Sequence, residues 1–234
     1  VDIGLFTNEE GMHEKAEAFT RRYTGIVEDV PFATGMCLMI KRNVLEQVGA
    51  FDTRFGLGNY EDNDLCLRIK NQGLRVVVSR EVYVYHHGNR TFHGLNVDYN
   101  AQMEKNRRAF REKWDGDPYL EGLDREKDGD FKGALASYLQ ALRSGTENPE
   151  PLLRTGFILL DLERFDSAAR SFRQYIERCP DSTRARLGLG CALTLGGETQ
   201  MGAALVDAVL KRRYVKDKTR NEIQTLVNRF SPVP

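Results

Sequence analysis

The sequence is poor in what would anchor a chain in a membrane. No stretch approaches about 18 consecutive apolar residues, and no charged-then-apolar segment opens the chain, so neither a spanning helix nor a secretory signal is expected. An excess of one charge is also lacking, since 34 Lys plus Arg meet 34 Asp plus Glu. Without a basic field there is no electrostatic footprint for nucleic acid, which is not expected as a partner. Cysteine is scarce, and Cys37, Cys66, Cys179 and Cys191 form no CxxC pair. Buried free thiols in a reducing compartment account for them, and a cytoplasmic protein, at or near the inner face of the membrane, is expected. An initiator methionine is missing, because the chain opens on Val1. The expectation is an excised piece of a longer protein.

What is present is organised around Phe51 to Arg68, FDTRFGLGNYEDNDLCLR. A glycine-interrupted loop runs into a helix, with Asn59 as the expected N-cap and Glu61 and Asp62 in the first turn. Leu65, Cys66 and Ile69 share one face, and Gly73 marks the stop. Free amides and the helix dipole favour anions at that end. Asp64 adds a like charge, and Arg68, one turn on, is its counterion. Ordinary helix capping explains the same residues, but so many acids beside a loop able to approach a ligand closely also suit a site.

In chain order, Val1 to Phe6 is a candidate strand and His13 to Tyr23 an amphipathic helix. Phe32 to Ile40 has the length of a buried strand, and Asn43 to Val48 is a short helix closed by Gly49. Leu74 to Val78 and Glu81 to His86 read as strands, the second with period two. Interleaved strands and helices predict an α/β layer structure. His86 and His87 fall at a strand end on opposite faces, so one at most enters a site. A neutral imidazole there could bind a metal or phosphate, and a structural histidine is an equal reading. Tyr99 to Trp114 is a charged helix with Met103, Phe110 and Trp114 on one face, and Asp115-Gly116-Asp117-Pro118 ends it. That turn divides the chain into 1–116 and 117–234.

Beyond it the sequence repeats. Gly122, Gly156 and Gly190 are spaced by 34, as are Ala134, Ala168 and Gly202, and Tyr138, Phe172 and Val206. Small residues recur where helices must approach and large ones where they pack. This is the signature of tetratricopeptide repeats, helix pairs stacked into an all-α solenoid.

The first segment resembles the C-terminal half of a family 2 glycosyltransferase of the GT-A fold. The matching pieces come in order over roughly 16–115: TGMCLMIKRNVLEQVGAFDTRF, NYEDNDLCLRIKNQGLRVVV, VYVYHHGNRTF and NRRAFREKW. The resemblance implies an inverting transfer of a sugar from a nucleotide-sugar donor to an acceptor hydroxyl, with Asp62 as general base and Glu61 organising the acceptor side. It implies that His86 serves the diphosphate or its Mg²⁺ or Mn²⁺ ion, and that Thr34 and Gly35 line the acceptor region. Asp64 and Arg68 join Thr34 and Gly35 as substrate-binding candidates. The acceptor is a glycan, a lipid-linked saccharide or a protein, and the repeats offer a surface for a protein partner.

The departures bear on function. The nucleotide-binding segment and the metal-binding DxD that open such domains do not precede the match. The expectation is a partial GT-A domain lacking its N-terminal nucleotide-binding half, inactive alone. Absence of a QxxRW motif argues against a processive synthase. The alternative is a binding module in which the repeats hold a protein or an acceptor and the α/β part is a non-catalytic scaffold. A purely structural fragment is a third reading, since a parallel sheet stripped of neighbours exposes its edges.

Overall fold

The computed structural model describes residues 9–85, 94 and 97–211. Helix α1 (Glu9–Tyr23) leads through Gly25, at φ 71°, into strand β1 (Val27–Asp29). Helices α2 (Arg42–Val48) and α3 (Glu61–Lys70) precede strand β2 (Val77–Ser79), and α4 (Tyr99–Lys113) closes the first segment. The helical pairs follow: α5 (Pro118–Lys127) with α6 (Phe131–Arg143), α7 (Glu150–Asp161) with α8 (Phe165–Arg178), and α9 (Thr183–Leu195) with α10 (Thr199–Leu210). No helix among the described residues is long and apolar enough to cross a membrane.

The expected α/β layers are not what the described residues form. Their sheet is one antiparallel pair, Val27 opposite Ser79 and Asp29 opposite Val77. Phe32–Ile40 is not a strand: Gly35–Cys37 makes a 3₁₀ turn, and Met39 is 98% exposed. An apolar run becomes a strand only where another strand satisfies its amides, and here the Gly35 N–H is taken by the Asp62 carboxylate. Residues 81–85 are irregular too. The Ile26 carbonyl accepts from the Arg80 N–H, and beyond it Gly25 turns the would-be partner away, its own N–H donating to Glu81. Val1 to Phe6 lies outside the described residues.

Side-chain caps mark the starts of α5, α6 and α9 in the second segment. Asp117 accepts from the amides of Tyr119 and Leu120 behind Pro118, Asp130 from Gly133, and Ser182 from Ala185. The 34-residue register becomes geometry. A Cβ added at Gly122 would meet the Tyr138 ring, at Gly156 the Phe172 ring, and at Gly190 the Val206 side chain. Each first-helix glycine is the seat of a large residue on the second helix. Phe172 is seated twice, since a Cβ added at Gly188 of α9 would meet the same ring.

The chain turns at Asp115 and Gly116, but packing crosses that turn. Phe55, Leu67 and Phe110 share a core with Tyr119, Ala134, Tyr138, Ala141 and Ile158. Lys70, at the end of α3, is buried against Glu150 of α7 at 2.6 Å, and the Tyr175 hydroxyl donates to the same Glu150 oxygen at 3.1 Å. Arg75 bridges Asp29 and Asp181. The solenoid therefore forms the floor on which α3 rests.

Candidate active site

The N-terminus of α3 is built without the expected cap. Tyr60, not Asn59, is the residue before the helix, and no side chain caps it. Asn59 and Tyr60 stand at φ 70° and 73°, a left-handed pair of non-glycine residues, after Gly56 at 58° and Gly58 at 117°. Such a pair is unfavourable for L residues and persists only where the surroundings impose it. Helix α4 imposes it. Asn106, fully buried, places its Nδ2 at 2.5 Å from the Phe55 carbonyl, 2.6 Å from that of Gly58 and 3.1 Å from that of Asn59. One turn earlier Gln102 also donates to Phe55, and one turn later Phe110 packs on the Tyr60 ring, centroids 5.5 Å apart.

The chain reversal brings Glu61 and Asp62 beside the Thr34–Gly35 turn. Asp62 Oδ2 accepts from the Gly35 N–H at 2.8 Å, and Oδ1 from the Asn63 N–H at 2.8 Å. Gly35 faces the pair at ordinary contact distance: a Cβ there would lie 3.5 Å from Glu61 Oε1 and 3.6 Å from Asp62 Cβ. Glu61 also folds back on Gly58, where an added Cβ would lie 3.5 Å from Oε1. Its Oε2 is buried without a hydrogen-bond partner. Burial, and then the neighbouring Asp62 charge, raise the Glu61 pKa, against a backbone hydrogen bond that lowers it. Thr34 is exposed at the rim. Behind the turn the Ala33 N–H points to the Cys66 sulfur at 3.3 Å, and burial pushes that thiol up.

Asp64 and Arg68 do not join this site. Asp64 is fully buried and receives Arg68 Nε at 2.9 Å, Trp114 Nε1 at 2.9 Å and Lys113 Nζ at 2.7 Å. Arg68 spends its other donors on the carbonyls of Val48, Gly49 and Ala50. Both are scaffold: Asp64, two positions past Asp62, turns away from it, and Arg68 is held by Asp64 and the carbonyls at the end of α2. His86 and His87 lie outside the described residues. Among the described residues no group of three His, Cys, Asp or Glu side chains is placed to hold a metal ion, so the expected Mg²⁺ or Mn²⁺ ion has no ligand set there. What these residues offer is carboxylate chemistry: an acceptor pair beside an exposed turn.

Residues 7–108 match the model of the glycosyltransferase like family 2, and residues 153–214 match that of the tetratricopeptide repeat. A glycosyltransferase family 2-like domain is followed by tetratricopeptide repeats. The O-antigen biosynthesis protein RfbC of Myxococcus xanthus is 41% identical over 54 residues, which make up 23% of this chain and 4% of that protein. No solved structure gives a significant match. In the glycosyltransferase-like domain the sequence identified the carboxylates and the turn they meet, but not Asn106 or Lys113. A signal for Asn106 was present, as a polar residue on the apolar stripe of Met103, Phe110 and Trp114.

Proposed function

We propose that the chain carries the acceptor side of an inverting glycosyltransferase, with Asp62 as general base. The observation that carries this reading is the contact of Asp62 with Gly35, which fixes a carboxylate at the mouth of an exposed turn. Each Asp62 oxygen accepts one N–H and keeps a lone pair. An acceptor hydroxyl within about 3 Å would give its proton to that lone pair as its oxygen attacks the anomeric carbon. The bond from that carbon to the diphosphate oxygen breaks on the opposite side, and the sugar inverts. Glu61, its buried Oε2 unpartnered, would hold a second hydroxyl of the acceptor.

The relative is named for O-antigen biosynthesis. A saccharide acceptor, free or lipid-linked, is therefore the class we favour, with a nucleotide sugar as donor and the reaction on the cytoplasmic side. Nucleotide-binding functions would come from the rest of the intact protein, and a Mg²⁺ or Mn²⁺ ion with them. The repeats would hold a protein partner or the acceptor's carrier.

The test is release of nucleoside diphosphate from a panel of UDP-, GDP- and dTDP-sugars by the intact protein. Asp62→Asn should lower transfer by about 10²- to 10⁴-fold while nucleotide-sugar binding is kept. Undiminished transfer by a folded Asp62→Asn variant would reject the assignment.

A further inference from the structure

We infer that Asn106 is a positioning residue for the Glu61–Asp62 pair, an inference that rests on the general-base reading of Asp62. Three backbone carbonyls, those of Phe55, Gly58 and Asn59, converge on one fully buried amide. They can point inward together only because the chain between them runs left-handed at Gly56, Gly58 and Asn59, and again at Tyr60. The Tyr60 carbonyl then accepts from the Asp64 N–H at 2.9 Å, which starts α3. The direction of the first turn, and with it the reach of Glu61 to Gly58 and of Asp62 to Gly35, is thus set before the helix begins.

Local forces do not account for this arrangement. Asn59 and Tyr60 pay for the left-handed conformation that glycine adopts freely, and no capping side chain stabilises the helix start. The stabilisation comes from α4, from Gln102, Asn106 and Phe110 spaced one turn apart on one face. Of these, Asn106 alone reaches the carbonyls on both sides of the Gly58 bend. Remove its two N–H donors and the three acceptors lose their common partner. The pair at 59 and 60 is then free to relax toward ordinary backbone, carrying the carboxylates with it.

Asn106→Leu keeps the shape of the side chain and removes both donors. Amide hydrogen exchange across 58–64 should quicken by about tenfold while α7 to α9 stay protected. In the intact protein kcat should fall by about 10²-fold with the KM for the nucleotide sugar little changed, since misplacement of the base affects the chemical step. Asn106→Ser, which keeps one donor, should fall between, and it carries the same comparison if the leucine variant does not fold. Unchanged exchange across 58–64 overturns the clamp. So does faster exchange there with wild-type kcat, given that Asp62→Asn lowers transfer as expected. If Asp62→Asn itself transfers normally, the base assignment fails instead, and exchange alone decides the clamp.

Discussion

Two adjacent carboxylates, Glu61 and Asp62, meet different surroundings although one bond pattern joins them. Asp62 has an N–H on each oxygen, whereas Glu61 has a buried oxygen with none. The Glu61 environment raises its pKa above the usual 4.5, so the folded chain binds that proton more tightly than the unfolded chain does. Stability from this group is therefore present at low pH and is lost as pH rises from 4.5 through the raised value. Glu61→Gln should melt higher than the parent at pH 7, and the difference should close below pH 4.5, a comparison that thermal denaturation at both pH values makes directly. Asp64 is a different case. Asp64 is fully buried and its three cationic or N–H partners close over it, half-buried, so Asp64→Asn should cost about 3–5 kcal/mol by leaving them without a full charge partner. Denaturant unfolding measures it, and a loss under about 0.5 kcal/mol, the level of an ordinary surface change, would place Asp64 outside the network.

At the scale of elements, the solenoid is held by glycines opposite rings. The ring of Phe172 lies where a Cβ at Gly156 would come within 2.7 Å, and one at Gly188 would come closer still. Alanine at Gly156 gains helix propensity, worth about 1 kcal/mol, but forces a ring that neighbours confine on two sides. Overpacking should win, and Gly156→Ala should destabilise by about 1–3 kcal/mol. A raised melting midpoint would show that the seat is slack and that propensity decides. Helix α4 is the other element whose role is set by contact. Its apolar stripe packs the shared core, and its polar members, Asn106 and Lys113, reach the loop and the start of α3.

For the whole molecule, the glycosyltransferase-like domain and the repeats are joined through Lys70 and Glu150, both buried. Breaking such a pair strands a charge in the interior. Lys70→Met should cost about 3–5 kcal/mol, and adding Glu150→Gln, which still accepts from Tyr175, should restore most of it. A double-mutant cycle by denaturant unfolding would show coupling if the contact forms, and additive losses would mean that the two parts are not locked there.

Much of this protein was legible from residues alone. The repeat register needs only spacing, because small and large residues recurring every 34 positions leave helix pairs one way to stack. Helices α1, α2 and α4 follow from apolar period and stop signals, and Glu61 and Asp62 stand out by density of charge. Strands were misread, since an apolar run does not say whether a partner strand is there, and a left-handed start to α3 has no local signature beyond its glycines. Which acids face the turn and which are buried was also beyond the sequence. Asp62 meets Gly35 and Asp64 meets Trp114 because α3 is fixed between α4 and the solenoid, contacts 27 and 50 residues apart that only the packed chain can make.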